Sequence, residues 1–244
     1  MVKNRFIRIG LAMLIVTLLS ACMYRGEVAR QQANPAFIKE ELSRVQSAID
    51  SYYETYQVYP IKNSDASTPI YEKYVIDLKK LVQSNMLSSI PKNAFENGGT
   101  YYYLLITPET SPSIKLLDLS LFQRMADLQQ KVSEFANRNQ GTLPKGIAIA
   151  SGYYSLDFKQ LGLPLEQIQS FYSNNYLPVI IHDSGELFID YGLELYTAVQ
   201  SLGDMQIEQE FDLRTLLVES SPYVPIRSVP YYWVNGQPVP QKPN

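Results

Sequence analysis

The chain has 244 residues, with 21 Lys and Arg against 24 Asp and Glu and a formal charge of −3. That balance gives no basic footprint for nucleic acid. One cysteine, Cys22, leaves no disulfide and no cysteine cluster for zinc, so the fold must hold by packing.

Residues 1–21 read as a targeting segment. Lys3, Arg5 and Arg8 form a basic start, and the mostly apolar run Ile9 to Ala21 closes on the small residues Ser20 and Ala21. The run is a secretory signal pattern, too short for an ordinary membrane-spanning helix. Leu19-Ser20-Ala21-Cys22 resembles the lipobox of bacterial lipoproteins. That resemblance implies a diacylglycerol on the Cys22 sulfur and cleavage just before it. Burying lipid contributes about 0.8 kcal/mol per methylene, so two acyl chains anchor a protein stably. The expected site of work is the extracytoplasmic face of the cell membrane.

Residues 22–34 are polar and read as a tether. From Pro35, Ile38, Leu42, Val45, Ile49, Tyr52 and Tyr56 recur at steps of four and three, which predicts one amphipathic helix ending before Pro60. A second helix is expected after the turn "PETSPS", with Ser120 and Gln123 as a capping box. Its stripe is Phe122, Met125, Leu128, Val132 and Phe135, and Gly141 is its stop.

"YVIDLKKL" (Tyr74 to Leu81) matches "YSLDFKQL" (Tyr154 to Leu161) without a gap. Asp77 and Asp157 are then expected to cap short helices. Each stretch leads to an aliphatic-Pro step and a turn, "ENGGTYYYLL" from Glu96 and "HDSGELFIDY" from His182, both read as hairpins. The expectation is an α+β fold of tandem units over 35–107 and 118–191, each with a long helix, a short Asp-capped helix and a hairpin. Residues 192–244 are either a degraded third unit, with "FDLRTLL" and the Asn-Gly turn of "YYWVNGQPV", or a Pro-rich tail.

The stretches "AIDSYYETYQVYP" and "DLKKLVQSNMLSSIPKNAFENGGTYYY" resemble the globular part of type II secretion pseudopilins of the G kind. The resemblance implies a helix followed by a short sheet. Here a lipobox replaces the pseudopilin peptidase site, so assembly into a pilus is not implied. The acidic calcium-loop residues are not matched, so no metal site is carried over. As a whole the chain resembles lipoproteins of Gram-positive, spore-forming bacteria, which implies no activity.

Candidate chemistry is sparse. The single histidine, His182, stands beside Asp183 and Ser184, but neighbours on a strand point to opposite faces, which disfavours a triad. Carboxylate pairs are Glu40 with Glu41, Asp183 with Asp190, and Glu208 with Glu210, all expected on solvated faces or turns. No catalytic residue and no cofactor is expected. Tyrosine is abundant, with 19 copies. On a strand Tyr101 and Tyr103 share a face, and with Tyr231 and Trp233 they are the candidate binding surface. The reading that results is a lipid-anchored, non-enzymatic interaction or scaffold module with an envelope protein partner. A transporter's substrate-binding lipoprotein and a wall-active enzyme are the alternatives.

Overall fold

The computed structural model describes residues 34–107, 109–203 and 207–241. The targeting segment and Cys22 lie outside the described residues. The first helix, α1 (Pro35–Tyr56), starts where Asn34 Oδ1 accepts from the Ala36 amide at 2.9 Å, with Pro35 in the first turn. Ile38, Val45, Ile49 and Tyr52 of its expected stripe are buried. The helix ends at Gln57, whose φ of 55° is left-handed. Then α2 (Leu78–Gln83) begins as expected, with Asp77 Oδ1 accepting from the Lys80 amide at 3.1 Å.

The first hairpin differs from expectation. "ENGG" forms a single 3-10 turn, Phe95–Asn97, that leads into a strand without joining two. The hairpin is β1 (Tyr101–Ile106) against β2 (Ser113–Asp118), with Tyr101 opposite Asp118 and Ile106 opposite Ser113. The pairing carries this hairpin on to Asp118, beyond residue 107. The turn is the "PETSPS" region, and "SIKLLD" is the returning strand.

This hairpin is a wall with a core on each side. Tyr101, Tyr103, Leu105, Ile114 and Leu116 face one core, with α1 and α2. Leu104, Ile106 and Leu117 face the other. The alternation follows from the period of two along a strand.

Beyond the wall, α3 (Leu119–Arg138) is capped by Asp118, whose Oδ1 accepts from the Leu121 amide at 2.9 Å. The cap lies two residues before the expected Ser120, whose hydroxyl instead donates to Asp118. Leu121, Met125, Leu128 and Val132 are buried against the second core. That core is closed by a sheet of β3 (Lys145–Ala150), β4 (Tyr153–Leu156), β7 (Val179–His182) and β8 (Leu187–Ile189), antiparallel in that order. Two short strands, β5 (Ile168–Gln169) and β6 (Tyr176–Leu177), pair between β4 and β7 in the chain. The turn "HDSG" joins β7 to β8 as expected.

The two matched stretches keep the same local bonds. The Asp77 amide donates to Pro60 O at 2.7 Å, and the Asp157 amide donates to Pro144 O at 2.9 Å. Ile61 pairs with Ile76, as Lys145 pairs with Leu156. One expectation fails here: Asp157 accepts from the Lys159 and Gln160 amides, but residues 158–162 are a turn without a helix.

The C-terminal part is ordered into α4 (Gly192–Ser201), α5 (Arg214–Ser220) and a hairpin of β9 (Tyr231–Val234) with β10 (Gln237–Pro240). Asn235 and Gly236, at φ of 50° and 83°, make the tight turn their sequence predicts. Between α5 and β9 the chain runs along two sheet edges. The Leu116 amide of β2 donates to Pro222 O at 2.8 Å, and the Ile189 amide of β8 donates to Arg227 O at 2.8 Å. The fold is α+β throughout.

Candidate interaction surfaces

The aromatic residues expected to form a binding face are mostly interior. Tyr103 is 1% exposed, and its hydroxyl donates to Asn93 Oδ1 at 2.7 Å. Tyr101 is buried beside Tyr223, with ring centroids 5.8 Å apart. Tyr231 is buried, and its hydroxyl donates to Asp190 Oδ1 at 2.8 Å. Burial holds all three phenols well above the ordinary tyrosine range. Only Trp233 is half-exposed, stacked on Tyr196 at 6.0 Å. The correction has a plain cause. The β1–β2 wall has a core on both faces, so a run of tyrosines there is packing surface. Tyr102, on the other face, is half-buried against Phe95 and lies under Lys62.

His182, Asp183 and Ser184 do not assemble a triad. The Ser184 amide donates to His182 Nδ1 at 3.1 Å, and the Ser184 hydroxyl lies 2.9 Å from the same nitrogen. Asp183 turns away to Lys145 Nζ at 2.5 Å. This is a local turn network. The carboxylate pairs are likewise apart in role. Glu41 pairs with Arg44 while Glu40 is exposed, Asp190 is taken by Tyr231, and Glu208 and Glu210 are exposed. Among the described residues no three His, Cys, Asp or Glu side chains cluster closely enough to hold a metal ion.

Two open grooves stand out among the described residues. One, of about 530 Å³, is apolar and lies between the start of α1 and the C-terminal segment, with Ile38, Leu42, Phe171 and Tyr223 in its walls. The other, of about 590 Å³, is mixed in character and lies between α3 and the β7–β8 turn, with Gln129, Val132, Leu143, Glu186 and Arg227. The amide of Arg227 donates to Glu72 Oε1 at 2.7 Å. Burial raises the Glu72 carboxyl above its ordinary value, outweighing that bond and the nearby guanidinium.

Among the described residues the most exposed large apolar side chain, Ile147, lies on a sheet edge. Strand β3, "KGIAIA", carries Ile147 at 80% and Ile149 at 44% exposure. At Gly146 the strand passes close to Ser155: a Cβ there would sit 2.5 Å from the Ser155 hydroxyl, which would have to turn aside. That hydroxyl accepts from the Ile147 amide at 2.9 Å. Register shifts flank Ala148, which itself pairs with Tyr154. The outer side of β3 has no neighbouring strand among the described residues. The edges of β2 and β8 are covered by residues 222–227, whereas β3 is an edge strand whose one charge is Lys145 at its start. Natural sheets usually blunt such an edge with charge, proline or bulges; β3 has the register shifts but no proline and no charge after Lys145. Sequence reasoning gives "KGIAIA" no role; its signal is an uncharged run after Lys145 with isoleucine at alternate positions.

No curated protein and no solved structure matches the chain. The YphF family N-terminal domain model matches residues 38–118. That span opens within α1 and closes on the last residue of β2, so this part of the chain, the first core with its hairpin, is similar to the YphF family N-terminal domain.

Proposed function

We propose that the protein is a lipid-anchored, extracytoplasmic envelope protein that works without catalysis, by holding another protein through an exposed sheet edge. The anchor rests on the Leu19-Ser20-Ala21-Cys22 motif behind a basic, apolar start. The single observation that carries the interaction reading is the bare strand β3 with Ile147 and Ile149 in solvent. An open edge offers unpaired amides and carbonyls to an incoming strand, and the side chains between them supply selectivity. The substrate-binding alternative needs a cleft between two facing lobes. In the described residues the two cores instead share the β1–β2 wall.

The test is crosslinking in living cells, capture from membranes and mass spectrometry, with the native chain, Cys22→Ala, and an Ile147→Lys, Ile149→Lys double variant. Defined envelope proteins should accompany the native chain and be lost with both variants. The same set with the double variant, or none with an abundant anchored native chain, overturns the reading. Metabolic labelling with a fatty acid should mark the native chain and spare Cys22→Ala.

A further inference from the structure

We propose that the strand received by β3 is β3 of a second copy, paired antiparallel about a two-fold axis through Ala148. This rests on the sheet-edge reading above and names its partner.

The sequence of the edge is self-complementary. With the axis at Ala148, Ile147 stands opposite Ile149 of the second copy, and Gly146 stands opposite Ala150. A two-fold contact uses the same patch on both partners, so a patch must tolerate itself. Charge is one feature that forbids this at an edge. Here residues 146–150 carry none. The one charge on the strand, Lys145, falls opposite Ser151 of the second copy, so the two lysines lie at opposite ends of the pairing. Each lysine also keeps its own Asp183 at 2.5 Å.

The backbone agrees with this centre. Ala148 is the residue in register between the two shifts of β3 against β4. The Ile147 amide is directed inward to Ser155 at 2.9 Å. The pairing places the Ala148 amide and carbonyl on the open side, where two copies exchange both bonds. Ile147 and Ile149, at 80% and 44% exposure, lose that exposure to each other's partners across the axis.

The contact is small. A strand of six residues spans about 20 Å, and one strand against another buries far less than the roughly 1,600 Å² of a standard stable interface. Copies free in dilute solution therefore pair weakly. Copies tethered to one membrane share a thin layer and an orientation, which raises their effective concentration without any new contact.

The experiment uses the full chain in the membranes of living cells. Ala148→Cys is treated with a short thiol-to-thiol crosslinker beside the parent chain, whose one cysteine is Cys22, and beside Leu165→Cys, a 70% exposed position elsewhere. The expected result is a covalent dimer several-fold more abundant for Ala148→Cys than for either control. Adding Ile147→Lys to Ala148→Cys should return it to the control level. Dimer from Ala148→Cys no greater than from Leu165→Cys overturns the proposal. If Ala148→Cys links instead to a different envelope protein, the second copy is wrong and the sheet-edge reading stands. If it links to nothing while the double lysine variant also leaves captured partners unchanged, both fall.

Discussion

Asp77 and Asp157 occupy the same place in two stretches that match over eight residues, and each donates its amide to the carbonyl of a preceding proline. Only Asp77 starts a helix. The difference lies in the chain beyond each aspartate. After Asp77 it runs "LKKLVQS" before Asn85 turns left-handed at φ 59°. After Asp157 there are four residues before Gly162, at φ 68°, and Pro164 comes two residues later. Four residues cannot repay the cost of a helical nucleus. A cap is a permission to begin, and the length of uninterrupted chain beyond it sets whether anything begins.

The largest test of this comparison lies in the matched leucines. Leu81 is fully buried on α2 in the first core, whereas Leu161 is half-buried on its turn. Leu81→Ala should cost about 4 kcal/mol, and Leu161→Ala clearly less. Denaturant unfolding of the two variants measures the gap, and equal losses would break the distinction between helix and turn.

Backbone crowding gives a second contrast. A Cβ on Gly99 would lie 2.1 Å from the backbone carbonyl of Asn93, which cannot swing aside. The closest atom to a Cβ on Gly146 is the Ser155 hydroxyl, which can rotate away. Gly99→Ala is expected to destabilise by about 3 kcal/mol and Gly146→Ala by about 1 kcal/mol. Thermal unfolding of both variants reads the difference.

The caps themselves come next. Asp77→Ala should cost about 1 kcal/mol, the usual loss of a helix cap. Asp157→Ala removes bonds in an exposed turn and should shift the unfolding midpoint less.

The smallest effect lies where the loop before α2 meets the C-terminal segment. The Glu72 carboxyl is raised in the folded chain, so the folded state binds its proton more tightly than the unfolded state does. Stability from this group is then greatest at low pH and falls as pH rises from the ordinary carboxylate value through the raised one. Glu72→Gln can still accept from the Arg227 amide without the buried charge. It should be at least as stable as the parent at neutral pH, with a smaller change across the acidic range up to neutrality. A larger change in the variant would refute this sign.

The long helices are legible because both carry an apolar stripe at helical spacing over several turns. The β7–β8 and β9–β10 hairpins are legible because one turn signal sits between two β-prone runs. The first hairpin is not, because "TYYYLLI" has a turn signal on both sides, and a strand does not declare which side holds its partner. The burial of Tyr101 and Tyr103 does have a signal. A strand covered on both faces reads as a continuous apolar run, as "YYYLLI" does, instead of an alternating one. Nothing local could reveal that residues 222–227 cover the edges of β2 and β8, because those pairings join positions about 40 to 110 residues apart. For the same reason the bareness of β3, the core of the candidate surface, is a property of the whole fold.

That late segment also imposes an order in time. The chain is made from its N-terminus, and units fold as they emerge. The β2 strand is complete at Asp118 and β8 at Ile189, yet the residues that cover their edges come only at 222–227. Until then the edges of β2 and β8 stand open beside that of β3. A chain stopped before Ser221 therefore keeps the edges of β2 and β8 uncovered, and emergence of the C-terminal segment is the step that closes those two edges and leaves β3 alone open.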